Sequence, residues 1–306
     1  MTLNEINTIE GNLKLLEPLA LDLNKYFNKG RTLTLFKRLP LCDETANTTQ
    51  RLLDGSYLLS PCGIELDNNE CNSLALELID ILKLHLIDRT DEIAAINNLL
   101  INEQIISHDI ILKALKNEGN EIRKQISHAN ISEDLFTFYL VYLTRPFRER
   151  AANFLTEKID KLNWQYGYCP VCGHWPALGH INSEGGDRTL WCLCCNTEWK
   201  FKRTQCAFCL NENHEFLEII NPVNEESFRI QVCKKCKRYL KEVRSNVEVK
   251  NFPFDKMYLG TIPLDMIAEK EGYIQESILT VRYDNPDGNE LLMYRQKATK
   301  EKIIFN

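Results

Sequence analysis

Four Cys-X-X-Cys pairs stand within 68 residues of this chain: Cys169/Cys172, Cys192/Cys195, Cys206/Cys209 and Cys233/Cys236. No other feature restricts the fold as tightly. Two residues between cysteines let a tight turn aim both thiolates at one metal ion. Two such turns, brought together by a hairpin, complete a tetrahedral four-thiolate site. In "YCPVCG", Pro170 stiffens the start of the first turn and Gly173 suits a positive φ just after it. The spacers, 19 residues between the first two pairs and 23 between the last two, favour sequential pairing into two ribbon-like lobes. Interleaved pairing would give a cross-braced module instead. The default role of such sites is structural, because lobes this small are not held by hydrophobic burial alone. Four thiolates serve Zn²⁺ or a single iron ion equally well, so the spacing leaves the metal open.

One stretch, "CLCC", offers three cysteines where a pair needs two. The two-residue spacing of the other pairs makes Cys192 and Cys195 the ligands. Cys194 then takes the place that Val171 holds in the first pair, and it is the spare thiol.

Nine of the twelve cysteines lie between Cys169 and Cys236. In a reducing compartment such pairs are metal ligands or catalytic thiols more often than disulfides. The first residues, "MTLNEINTIEGNLK", lack the basic start and apolar block of a secretory signal, which sets the expectation of a cytoplasmic chain. The longest apolar run, "LFTFYLVYL", is about half of what a membrane span needs, so no membrane insertion is expected. The formal net charge of −6 argues against a general nucleic-acid binder. Residues 200–250 depart from it, with 11 Lys/Arg against 7 Asp/Glu. The "CKKCKRYLKEVR" cluster within them either neutralises an anionic four-thiolate site or docks an acidic partner surface.

Residues 1 to about 165 carry helical periodicity. "LALELIDILKLHLI" places Leu74, Leu78, Ile81 and Leu82 on one face, and shorter helices are predicted over 3–28, 90–101 and 105–127. Ser132 is a candidate N-cap for the long segment that follows, with Glu133 and Asp134 in its first turn. Pro146 is expected to kink or divide that segment. Residues 38–70, punctuated by Pro, Gly and Asn, are predicted as loops with short elements. From Tyr166 the pattern turns to period two, in "EWKFKR", "EFLEII", "FRIQV" and "YLKEV". "MYLGTIPLDMIAEKEGY" then supplies one helix with Leu264, Ile267 and Ala268 on a shared side. The expected architecture is α+β: a helical domain over 1–165, metal lobes over 166–203 and 204–250, and a C-terminal helix and tail over 251–306.

His174 and His180 lie near the first pair and are available as ligands, but eight well-spaced cysteines make them unnecessary. His85 is a helix-surface or satisfied core residue, and Cys42, Cys62 and Cys71 are buried or incidental thiols. Trp164, Trp175, Trp191 and Trp199 are expected to pack over the first lobe rather than form a binding surface. No GxGxxG, P-loop, GxSxG or HExxH motif is present, so no catalytic or organic-cofactor site is expected.

The segment from Tyr168 to Tyr273 resembles the formate dehydrogenase accessory protein family, FdhE. "YCPVCG", "CLCCNTEW" followed by "CAFC", "CKKCKRYLK" and "LDMIAEKEGY" carry the likeness, and "TRPFRERAANFL" upstream shares it. The resemblance implies a helical N-terminal domain joined to two rubredoxin-like metal lobes. It further implies a cytoplasmic, non-catalytic maturation factor that binds the molybdopterin-containing catalytic subunit of a respiratory formate dehydrogenase before export. It moves the metal preference toward iron without excluding zinc. Cys194 is additional to the family's pattern. The stretch after Tyr273 is longer than the family's usual Asn-Pro-Phe tail and differs from it, so partner choice could differ. Two alternatives use the same residues: a zinc-ribbon nucleic-acid binder, supported by the basic fourth pair, and a rubredoxin-like one-electron carrier.

Overall fold

The helical part assembles from segments whose apolar residues recur every three or four positions, so that each helix has one face to bury. The structure, a computed structural model, describes residues 8–32, 57–59, 66–116, 119–159, 164–223 and 225–275. Cys42, Cys62, most of 38–70 and the tail after Gln275 lie outside the described residues. Thr8 caps α1 (Ile9–Leu15), its hydroxyl accepting from the Gly11 N–H at 3.0 Å. Next come α2 (Glu17–Thr32) and α3 (Asn68–His85), with the Asp67 carboxylate accepting from Glu70 N–H at the start of α3. The set continues with α4 (Thr90–Ile101), α5 (Ser107–Leu115), α6 (Gly119–Ile126) and α7 (Glu133–Ile159).

The single helix predicted over 3–28 is two helices, α1 and α2. Pro18, which cannot continue a helix but suits a first turn, sits at the start of the second. The one predicted over 105–127 is likewise two, α5 and α6. On α3 the buried face runs through Cys71, Leu74, Ala75, Leu78, Ile79 and Leu82, and Ile81 flanks it. His85 pairs with Asp22 of α2 at 2.9 Å.

Ser132 caps α7, accepting from the Leu135 N–H. Of the two outcomes expected at Pro146, a kink or a division, division does not occur: the helix runs on to Ile159. Residues 141–149 are buried on every side, and that packing outweighs the one backbone bond a proline removes. Gly30 of α2 lies against the ring. A Cβ added there would stand 2.6 Å from the Pro146 Cβ, so the two helices approach closely at this point.

Six strands form one sheet: β1 (Leu178–Asn182), β2 (Arg188–Trp191), β3 (Glu198–Lys200), β4 (Leu217–Ile220), β5 (Phe228–Cys233) and β6 (Arg238–Ser245). Their order is β3-β2-β1-β6-β5-β4. Each half is an antiparallel meander, and the halves join where β1 and β6 run parallel, from Gly179 opposite Glu242 to Asn182 opposite Ser245. Arg188 stitches this seam. It donates to Gln231 and Glu242 across it and to the carbonyls of Lys202 and Gln205 on the connecting chain, and Arg229 reaches Glu242 from the other side.

The C-terminal region predicted as one helix is two, α8 (Phe254–Gly260) and α9 (Ile262–Lys270). The Thr261 hydroxyl donates back to the Met257 carbonyl, and Pro263 occupies the first turn of α9. These helices return the chain to the helical layer. Arg145 of α7 is buried and binds Asp255 of α8 through both guanidinium nitrogens, and Glu149 through Nε at 2.6 Å. Its guanidinium also lies 4.2 Å over Phe27 and 5.4 Å from the ring of Trp191 in β2. On α9, Asp265 receives buried Lys241 of β6 at 2.8 Å. Among the described residues no helix is long and apolar enough to cross a membrane.

Removing one partner of a buried pair strands the other charge, so Asp255→Ala should lower unfolding free energy by about 3–5 kcal/mol. Urea melts of Asp255→Ala and of an Arg145→Met/Glu149→Gln/Asp255→Leu triple variant measure this. The triple variant should lose much less, because Glu149, which also binds Arg145, is neutralised with it and no charge of the cluster is left alone.

Candidate metal centres

Each Cys-X-X-Cys pair closes on itself in the same way. The amide of the residue after the second cysteine donates to the carbonyl of the first: Gly173 to Cys169, Asn196 to Cys192, Leu210 to Cys206 and Lys237 to Cys233, at 2.8–3.0 Å. The Cys169, Cys192 and Cys206 amides donate in turn to the carbonyls of His174, Thr197 and Asn211, and Cys233 faces Arg238 in the β5–β6 register. All four residues after the second cysteine take a left-handed backbone, with φ of 75° at Gly173, 58° at Asn196, 56° at Leu210 and 58° at Lys237. Glycine adopts this freely and asparagine tolerates it. Leu210 and Lys237 hold it at a cost of roughly 1–3 kcal/mol each.

The four turns meet two by two. Cys169, Cys172, Cys192 and Cys195 form one group and Cys206, Cys209, Cys233 and Cys236 the other, with the sulfurs of each group within 4.8 Å of one another. The pairing is therefore sequential. In the first group the Cys169–Cys195, Cys172–Cys195 and Cys172–Cys192 sulfurs stand 3.4, 3.4 and 3.5 Å apart. In the second, Cys206–Cys236 and Cys209–Cys233 are both 3.7 Å apart. A tetrahedral ion with metal–sulfur bonds of about 2.3 Å requires sulfur–sulfur edges of roughly 3.8 Å. These edges lie within a few tenths of an ångström of that value, and all eight cysteines are free thiols. Two four-cysteine clusters can thus bind two metal ions.

Proton chemistry points the same way. Burial pushes the Cys169 and Cys172 thiols well up, whereas at Cys192 hydrogen bonds from the neighbouring thiols overcome burial and hold it well below the ordinary value. In the second group hydrogen bonding with Cys209, Cys233 and Cys236 pushes Cys206 far up. Contact with Cys206 brings Cys209 down to about 7 and holds Cys233 lower still. In the first group Cys192 ionises readily while Cys169 and Cys172 resist, and in the second Cys209 and Cys233 ionise readily while Cys206 and Cys236 resist. A cation is what allows four adjacent thiols to ionise together.

The remaining sequence candidates stay outside both groups. His174 Nδ1 lies 3.1 Å from the Cys172 carbonyl and His180 packs on Phe252. Cys194 is buried, where desolvation pushes its thiol well up, and its electrostatic neighbours include Arg148, Tyr142 and Tyr258, at the junction with the helical layer. All four tryptophans are buried. Trp191 stacks on Phe254 at 5.4 Å, and Trp175 meets Tyr168 and Phe208. In the basic cluster Lys234 pairs with Glu218, and Lys237 lies 5.5 Å from the ring of Tyr273.

Supporting residues that the sequence did not mark include Thr197, whose hydroxyl is 3.1 Å from the Cys195 sulfur. Trp191 Nε1 donates to the side chain of Asn196 at 2.7 Å. The amides of Leu58 and Leu59 donate to the Pro170 and Val171 carbonyls, at 3.0 and 2.7 Å. Trp191 was marked only as a packing residue, and the signal at Asn196 is its tolerance of left-handed backbone. The segment around Leu58 is far away in the chain and nothing local announces it.

A helical layer carrying two four-cysteine knuckle pairs on a single sheet defines a two-centre metal-binding class of protein. No protein-family model matches the chain. A curated "Protein FdhE homolog" of Aquifex aeolicus is 31% identical over 164 residues, 52% of this chain and 57% of that protein. A "Protein FdhE homolog" of Proteus mirabilis is 26% identical over 202 residues, 63% of this chain and 64% of that protein. The chain spans about half to two-thirds of the length of these relatives. The crystal structure of the FdhE protein from Pseudomonas aeruginosa shares the fold, with a TM-score of 0.56 at 18% identity over 90% of this chain and 96% of that one. The chain thus resembles FdhE proteins in sequence over about half its length and in fold over nine-tenths of it.

If Cys194 is the spare thiol, Cys194→Ser keeps the full metal content. Cys192→Ser or Cys195→Ser should lose about one of the two ions expected from two four-thiolate sites. Metal analysis of anaerobically purified variants checks this, and equal loss in all three contradicts it.

Proposed function

We propose that this chain is a non-catalytic accessory protein for the maturation of a respiratory formate dehydrogenase. In this reading it acts in the cytoplasm and binds the molybdopterin-containing catalytic subunit before export. The eight grouped cysteines ligate two ions, iron or zinc. The division into a helical domain over 1–165, lobes over 166–203 and 204–250, and a C-terminal region over 251–306 belongs to the same proposal.

One observation carries it: both four-cysteine groups sit on an architecture shared with an FdhE protein across nine-tenths of the chain. A bound ion would supply four metal–sulfur bonds that crosslink two turns of each lobe. The protein's own groups do the rest. Arg188 and Glu242 fix one lobe against the other, and Arg145 with Asp255 ties the sheet-bearing part to the helical layer. A client therefore meets a surface of fixed shape, which lowers the ordering cost of binding.

Deleting the gene should abolish most formate dehydrogenase activity, and an affinity-tagged copy should capture the catalytic subunit from the same cells. Undiminished activity together with no captured subunit would rule the proposal out. Metal analysis and the visible spectrum of the same preparation separate iron from zinc.

A further inference from the structure

We propose that the two centres are not equivalent: the Cys169/Cys172/Cys192/Cys195 centre is permanent, and the Cys206/Cys209/Cys233/Cys236 centre is exchangeable, the one where metal enters, leaves and is reached by outside ligands. The inference rests on the reading that both groups ligate metal, and three independent observations carry it.

Access differs first. All four cysteines of the first group are buried, whereas Cys209 and Cys236 of the second are only half-buried. An incoming chelator or thiol needs a path to a sulfur or to the ion, and only the second group offers one.

The enclosure differs as well. The first centre is wrapped by parts of the chain distant in sequence: the Leu58–Leu59 backbone on Pro170 and Val171, Tyr57 against Gly173, and Phe254 stacked on Trp191. Opening it requires undoing the junction with the helical layer. The second centre lies toward the β4 edge of the sheet, where Phe216 and Ile219 are exposed. Lys234, Lys235 and Lys237 are exposed on its last turn. Its remote contacts, Gly167 against Ala207 and the Ile274 amide on the Lys237 carbonyl, come from outside α1–α7, so it can open without undoing the helical layer, and local opening is the cheaper route by which buried groups are reached.

Backbone strain is the third difference. The first centre places Gly173 and Asn196 at the two left-handed positions, residues that adopt or tolerate that conformation. The second places Leu210 and Lys237 there, side chains that disfavour it. Both turns of the second centre are thus poised to relax once the sulfurs lose their shared ion, which speeds release and slows recapture. Lys237 is the informative position because its side chain is exposed. Lys237→Gly removes strain and gives up one exposed contact, with the ring of Tyr273.

The test uses the full-length protein purified anaerobically with its metal, challenged with excess EDTA while release is counted against time. Two phases of one equivalent each are expected, the first finished while far-UV circular dichroism is unchanged. Cys206→Ser should lack the fast phase and keep the slow one, and Lys237→Gly should slow the fast phase several-fold with the slow phase untouched. Release of both equivalents in one phase overturns the inference, as does a Lys237→Gly protein whose fast phase is unaltered. Both readouts stand even if Cys206→Ser fails to fold. Protein that holds no metal at all would instead overturn the reading of the cysteine groups as ligands, so the two failures are distinguishable.

Discussion

Arg145 stands where three parts of the chain meet, and the rest of the arrangement depends on it. It projects from the buried stretch of α7, grips Asp255 on α8, and lies against Phe27 of α2 and Trp191 of β2. Burial works against its charge, and the Asp255 and Glu149 carboxylates outweigh that and keep it protonated. An ion pair of this kind adds little net stability compared with a well-packed apolar replacement. Its contribution is positional, since a planar guanidinium accepts a carboxylate in one orientation and a ring over one face. Trp191 immediately precedes Cys192, so the side chain that orients the helices also fixes the strand that delivers the first centre's second turn.

Local features were legible in the sequence and remote ones were not. The four knuckles could be read because each is a device of six residues, complete in its own hydrogen bonds. The Ser132 cap and the α3 face were likewise within reach of periodicity and capping rules. That the helix would continue past Pro146 could not be read, because its neighbourhood is set by Gly30 and by burial on all sides, neither visible in "TRPFRER". The boundary between α8 and α9 depends on how Thr261 bonds back to Met257, a preference too weak to read in advance. The β1–β2 hairpin was not singled out among the strands, since "LGHIN" and "RTLW" are buried at every position but Asn182 and lack the alternation of a half-exposed strand.

The parallel seam between β1 and β6 also had no local signal. Both strands are internal to the sheet, and the residues that lock them, Arg188, Gln231 and Glu242, come from three different strands. Gly167 adds a second lock. A Cβ there would collide with the backbone of Ala207, inside the third cysteine pair, so the start of one lobe rests directly on a knuckle of the other. Substitution at Gly167 would therefore disturb the second centre from a position two residues ahead of the first.

The seam has a geometric consequence. Each lobe runs knuckle, strand, strand, knuckle, strand, and they join by pairing the first strand of one with the last strand of the other. Such a head-to-tail contact is heterologous, and repeating it generates an open-ended ribbon rather than a closed pair. The strands left at the sheet's margins, β3 and β4, are again a last strand and a first strand. They are thus the same two kinds that already recognise each other inside the molecule. Those margins offer little to extend such a ribbon: β3 is three residues long and β4 is four, with the Glu218–Lys234 ion pair on its exposed side. Short, charged edges are how natural sheets refuse further strands.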